Sequence, residues 1–158
     1  MRKTFAKEIL DHAINDSRII VLTGDLGYGM WDELQHVLPD QYINCGASEQ
    51  AMLDIAIGLA YEEKIPVVYS ITPFLLYRPF EALRTYIDHE KLNVKLVGSG
   101  RDDDYKHDGY SHDATDTGKI LSALPNIVQM WPESKEDIRS EVNVMLSHER
   151  PVFISLKR

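Results

Sequence analysis

Residues 43–61 read INCGASEQAMLDIAIGLAY. The spacing predicts a short strand ending near Asn44, a tight turn through Gly46, Ala47 and Ser48, and a helix starting at Glu49. Met52, Ile55, Ala56, Leu59 and Ala60, at i, i+3, i+4, i+7 and i+8, form the apolar face expected to be buried. Glu49 opens that helix. A carboxylate in a helix's first turn is favourable by ~0.3–1 kcal/mol through the macrodipole, which is a sufficient structural reason for it. The small residues before it also let another group come close, so a functional reading stays open beside the structural one.

Outward from this stretch, helical and strand-like segments alternate to both ends. Phe5, Ile9, Leu10 and Ala13 share one face of a first helix. RIIVLTG (18–24) is a short β-branched run ending in glycine, the signature of a buried strand. Residues 30–37 suggest a short helix and QYIN (41–44) a short strand. VVYSI (67–71), opened by Pro66, is a further strand, followed by a helix around 79–89 and the strand NVKLVGS (93–99). PNIVQM (125–130) and PVFISL (151–156) are the last two strands. Between them Ser134 begins a capping-box pattern, with Ile138, Val142 and Met145 on the inner face of the helix it starts. This alternation implies an α/β fold: a mostly parallel six-stranded sheet with helices on both faces. Ligands of such folds gather at the carboxyl ends of the strands.

The totals agree. A chain of 158 residues, 44% apolar and 27% charged, suits one globular domain over 1–158. The net charge of −8 disfavours a nucleic-acid partner, which needs a basic face. No apolar run reaches the ~20 residues of a membrane span, and the N-terminus lacks the apolar core of a leader. Cys45 is the single cysteine, so an internal disulfide is impossible and a reducing compartment, the cytoplasm, is the expected home.

One segment breaks the alternation. GSGRDDDYKHDGYSHDATD (98–116) is long, polar and rich in Asp, His and Tyr. Such a stretch is either a solvated acidic loop or a functional one. His107 and His112 flank Asp108 there. Their spacing matches no metal-ligand signature, whereas hydrogen bonding to a polar substrate suits them. TGDLGYG (23–29) spaces its glycines as G-x-x-G-x-G without a Walker lysine, a weak nucleotide signal. Asp25 and Leu26 still fall at a strand's carboxyl end, within reach of a ligand. Ser48 lacks the setting of a serine nucleophile and Cys45 lacks a basic neighbour in sequence.

Taken in order, these segments resemble the pyrimidine-binding domain of transketolase-like thiamine-diphosphate enzymes. LPDQYINCGASEQAMLDIAIGLA (38–60) is similar to the family's P-D-R-[FY] and G-[IV]-[AS]-E-Q stretch. VLTGDLG (21–27) resembles its opening strand and loop. IPVVYSITPFLLYRPFEALR (65–84) resembles the strand and helix that follow. NVKLVGS with HDGYSHDATD (107–116) is similar to the V-x-L-V-x-[ST] strand and the D-G-x-T-H-Q loop. LPNIVQMWPES (124–134) and PVFISLKR (151–158) resemble the closing strands.

The resemblance implies roles. The glutamate of the family's A-E-Q or S-E-Q segment, here Glu49, hydrogen-bonds a ring nitrogen of the cofactor's aminopyrimidine. A buried carboxylate suits a shared proton there. Phe74 matches the phenylalanine lying against that ring. Pro73 beside it departs from the usual pattern, which leaves Tyr77 as the alternative. Asp108 and His112 match the Asp and His that contact substrate oxygens, with Ser111 in place of threonine and Asp113 in place of glutamine. Arg158 aligns with an arginine that grips the substrate phosphate, and Leu26 with a residue near the thiazolium. Asp25 is grouped with these cofactor contacts.

The family holds the cofactor's diphosphate through Mg²⁺ on a second domain carrying G-D-G and a downstream asparagine. No G-D-G occurs in this sequence. The resemblance therefore implies a split enzyme, in which a partner subunit supplies that domain, the expected assembly being a heterotetramer with two of each chain. The implied activity is two-carbon ketol transfer between sugars or sugar phosphates, or the related carbon–carbon chemistry of deoxyxylulose-phosphate synthase. The alternatives are the small subunit of a 2-oxo acid dehydrogenase or decarboxylase, and a non-catalytic assembly or regulatory partner.

Overall fold

The computed structural model describes residues 1–158. Its elements run α1 (Arg2–Ala13), β1 (Ile19–Thr23), α2 (Asp32–Val37), β2 (Tyr42–Asn44), α3 (Glu49–Tyr61), β3 (Ile65–Ile71), α4 (Thr72–Tyr77), α5 (Phe80–Ala82), β4 (Lys95–Ser99), α6 (Thr117–Leu121), β5 (Val128–Met130), α7 (Lys135–Ser147) and β6 (Val152–Leu156). A π-helical turn over Leu83–Asp88 extends α5. The strands form one six-stranded sheet in the order β2-β1-β3-β4-β6-β5. Every pairing is parallel, so the expected "mostly" becomes all.

Strand alternation divides the core. Val21, Val67, Tyr69 and Val97 face one side, where α1 and α7 bring Phe5, Ile9, Ile138, Val142 and Met145. Leu22, Val68 and Leu96 face the other, against Met52, Leu53 and Ala56 of α3, Leu75 of α4, and Leu83 and Ile87. Helices therefore cover both faces. The strand order reverses at β1, with β2 on one flank and β3 on the other. The crevice at their carboxyl ends is the place such sheets reserve for ligands. No helix is long and apolar enough to cross a membrane.

Two details differ from the sequence reading. In α3 the buried residues are Glu49, Met52, Leu53, Ala56 and Ile57, while Ile55 is 41% exposed and Leu59 and Ala60 only partly buried. The turn at Gly46 (φ +69) delivers the chain so that Glu49 itself lies inside, and that fixes the phase. Ile55 then sits roughly 120° round the helix from Glu49. The second difference is the helix expected around 79–89. Helical structure begins at Thr72, with Pro73 in the first turn, a position where its missing N–H costs nothing. The capping box is as read: Ser134 Oγ accepts from Asp137 N–H, and the Asp137 carboxylate accepts from Ser134 N–H.

Lys95, the first residue of β4, is fully buried. Its ammonium donates to His148 O (2.7 Å) and Arg150 O (3.0 Å), closing the turn after α7. Burial pulls its pKa down to about 7. Between that value and the ordinary lysine range the unfolded chain holds a proton that the folded chain does not, so this group makes stability rise with pH across the window. From pH 7 to 9 the free energy of urea unfolding of the wild type should therefore gain on that of Lys95→Met, by about 1 kcal/mol per pH unit, with its midpoint rising accordingly. Parallel pH profiles for the two proteins would refute this.

Candidate active site

Glu49 sits at the N-terminus of α3, beside the β1–β3 crevice. It is 3% exposed. Its Oε2 accepts a 2.7 Å hydrogen bond from Arg78 Nη1. No donor in the chain reaches Oε1. Beneath it, Gly24 at the end of β1 leaves room: a Cβ there would lie 3.6 Å from Glu49 Oε1 and 3.6 Å from Gly46 O. Asn44 ties the two loops together. Its Oδ1 accepts from the N–H groups of Asp25 and Gly46, both at 3.0 Å, and its Nδ2 donates to Asp25 Oδ1. The Asp25 carboxylate also accepts from Tyr28 OH (2.6 Å), and these donors hold its pKa below the usual range.

Across the crevice, α4 carries Phe74. The Arg78 guanidinium lies over its ring, with Cζ 3.7 Å from the centroid. The His112 imidazole meets the same ring edge-on at 4.8 Å, and His112 Nδ1 lies 3.0 Å from Ser111 Oγ. Next to these is a cavity of about 530 Å³ lined by Phe74, Tyr77, Arg78, Tyr110, Asp113 and Asp116, among others. Tyr77 does not stack with Phe74. Its phenol donates to Asp116, and burial together with that carboxylate pushes the phenol's pKa up. Asp113 accepts two bonds from Thr115, which hold its carboxyl below the usual range.

The polar loop is folded. An Asp102–Ala114 bridge closes it, and two 3-10 turns, Lys106–Asp108 and Tyr110–His112, shape it. Thr72 Oγ1 donates to Gly100 O at 2.7 Å, so the start of α4 is bonded to the start of the loop.

The residues expected from sequence fall into three groups. Glu49, Phe74 and His112 come together, joined by Arg78. Asp108 and Arg158 meet instead through His107, whose Nε2 is 3.3 Å from Asp108 Oδ2 and 3.5 Å from Arg158 Nη1. Arg158 also lies over the Tyr105 ring and donates its backbone N–H to Asp104. Asp25 belongs to the Asn44 group, while Leu26 packs half-buried against the α1-side core. The two loop histidines thus serve different groups. Arg78 and Asn44 lie inside the stretches 65–84 and 38–60 that carry the resemblance, but sequence assigns neither a role, because their partners are distant in the chain. No group of three or more His, Cys, Asp or Glu is arranged to hold a metal ion.

The residues fit a flat ring bearing N–H groups, because such a group already rests there. The guanidinium is planar, lies on Phe74 and donates to Glu49.

A family profile described as transketolase, pyrimidine binding domain, matches residues 1–158. Among curated relatives, the putative transketolase C-terminal section of Methanocaldococcus jannaschii is 28% identical over 159 residues, covering 100% of this chain and 50% of its own length. The 6-deoxy-6-sulfo-D-fructose transketolase subunit of Clostridium sp. (strain MSTE9) is 29% identical over 159 residues, covering 100% and 49%. The chain spans about half the length of these relatives. A solved structure described as a split gene transketolase, inactive beta4 tetramer, superposes with a TM-score of 0.88 at 28% identity, covering 99% of this chain and 50% of that one. Transketolase from Leishmania mexicana shares the fold, with a TM-score of 0.87 at 21% identity over 99% of this chain and 25% of its own.

Proposed function

This chain belongs to the transketolase pyrimidine-binding domain family, and on that premise we propose that it is the pyrimidine-side part of a split, thiamine-diphosphate-dependent transketolase. The observation that carries the reading is Glu49: a buried carboxylate at the β1–β3 crevice with one oxygen free of donors, facing a phenylalanine that accepts a planar N–H-bearing group.

The cofactor, when bound, supplies the nucleophilic carbon and the electron sink for carbon–carbon bond cleavage and formation. Glu49 would hold a proton at the aminopyrimidine nitrogen, and Phe74 would fix the ring plane by stacking. His112, braced by Phe74 and Ser111, would hydrogen-bond substrate oxygens. Arg158 would offer a cationic end for a phosphate or sulfonate, with His107 and Asp108 beside it to hydrogen-bond the substrate. Relatives named as acting on a sulfo-sugar and on apulose-4-phosphate support a sugar bearing such an anionic end. The diphosphate and Mg²⁺ would be held by a partner subunit carrying G-D-G, two of each chain forming a heterotetramer. The lone Cys45 fits a cytoplasmic setting.

Gentle native purification with intact-mass analysis tests this. The expected result is a second polypeptide with G-D-G and a downstream asparagine, co-purifying with thiamine diphosphate. Ketol transfer from ketose phosphates should need both polypeptides and be absent from this chain alone. A cofactor-free homo-oligomer with no companion, or full turnover by the isolated chain, would overturn the reading.

A further inference from the structure

We propose that Arg78 is a displaceable placeholder: in the cofactor-free chain its guanidinium occupies the ring position on Phe74, and it must swing away for the aminopyrimidine to lie there. The inference rests on the thiamine-diphosphate reading above. With Cζ 3.7 Å from the ring centroid, the guanidinium is already at stacking distance, and no second flat group fits on that face. The same guanidinium takes one of the two Glu49 oxygens. One side chain therefore covers both the platform and the acid.

Its hold is of a kind that can be released. The Arg78 side chain is 48% exposed, whereas Glu49 is 3% exposed. On leaving, the exposed guanidinium regains its hydration and the side-chain freedom of a long residue, and a cofactor ring nitrogen would take its place on the buried carboxylate. Arg78 also caps the end of α4 just before Pro79, where the helix is interrupted, so its movement breaks no helical ladder. The cavity it lines offers room to move into, walled by the Asp113 and Asp116 carboxylates, which accept from Thr115 and Tyr77, and by Lys119. Leaving Phe74 and Glu49, the side chain has this open cavity to enter.

The experiment is a titration of the assembled, cofactor-stripped complex with Mg²⁺ and thiamine diphosphate, followed by calorimetry and by the binding rate, for the wild type, Arg78→Lys and Arg78→Gln. Lysine keeps the charge but cannot stack flat, and glutamine keeps a donor to Glu49. Arg78→Gln should bind about 3–10-fold more tightly and faster, the size expected for losing one cation–π contact and one half-exposed ion pair, and Arg78→Lys, which keeps the charge but not the flat stacked plane, should fall between it and the wild type. Equal or weaker binding by the variants would overturn the placeholder while leaving the thiamine-diphosphate reading intact. No binding by the wild type would remove both. A structure of the wild-type complex with cofactor adds a check that needs no variant: Arg78 away from Phe74 supports the proposal, and Arg78 still stacked on it sinks it.

Discussion

Glu49→Gln should lower turnover of the assembled enzyme by about 10²–10⁴-fold, the span of a lost proton-transfer group, with assembly and thermal stability unchanged. The side chains are isosteric, and the glutamine carbonyl still accepts from Arg78, so no buried group loses its partner. The neutral amide cannot hold and release a proton at a ring nitrogen, so the loss falls on the chemical step. If Arg78 is the placeholder, its grip on an amide is weaker than on a carboxylate, because charge-assisted hydrogen bonds are the stronger ones. Thiamine-diphosphate affinity should then hold or rise while turnover collapses. That split separates a catalytic role for Glu49 from a merely structural one. A variant with turnover within a few-fold of the wild type would remove Glu49 from the chemistry and favour a non-catalytic subunit.

Much of the architecture was readable from hydrophobic period and punctuation. The β-branched runs at 18–24, 67–71, 93–99 and 151–156 became the four central strands, and Ser134 with Asp137 marked the start of α7. The failures have physical causes. In α3 both the Met52–Ile55–Leu59 stripe and the Glu49–Met52–Ala56 stripe satisfy a 3.6 period. The positive-φ turn at Gly46 chose between them by burying a charged residue that a hydrophobic count leaves outside. In α4 the stretch between the strand end at Ile71 and the expected helix near 79 shows no polar face to mark a helix, yet proline is at home in a helix's first turn and Thr72-Pro73 opens one. At the site, Glu49, Phe74 and His112 followed from the resemblance. Arg78 did not, because its partners are a carboxylate 29 residues away and a ring one turn back. Such a contact exists only once the sheet brings α3 and α4 to the same crevice.

Gly98→Val should cost about 2–3 kcal/mol, the scale of overpacking a filled core, and lower the melting temperature by roughly 5–10 °C for a chain of this size. Gly98 lies in β4, between β3 and β6 near the middle of the sheet. A Cβ there would stand 2.6 Å from Thr72 Oγ1 and 2.9 Å from the Phe153 ring. Neither neighbour can retreat easily. Phe153 is buried and edge-packed against Trp131, while Thr72 holds Gly100 O by its hydroxyl. The strain therefore reaches the site. Thr72 opens the helix that carries Phe74 and Arg78, and its bond to Gly100 steadies the loop that carries His112. Thiamine-diphosphate affinity of the assembled complex should fall together with stability. Gly118→Ala in α6 is the control: a Cβ at Gly118 meets nothing within 4 Å, and alanine in a helix is favoured over glycine by roughly 0.5–1 kcal/mol. A Gly98→Val protein that melts with the wild type would mean Thr72 and Phe153 yield freely. The tie between the β4 core and the Phe74 platform would then be slack.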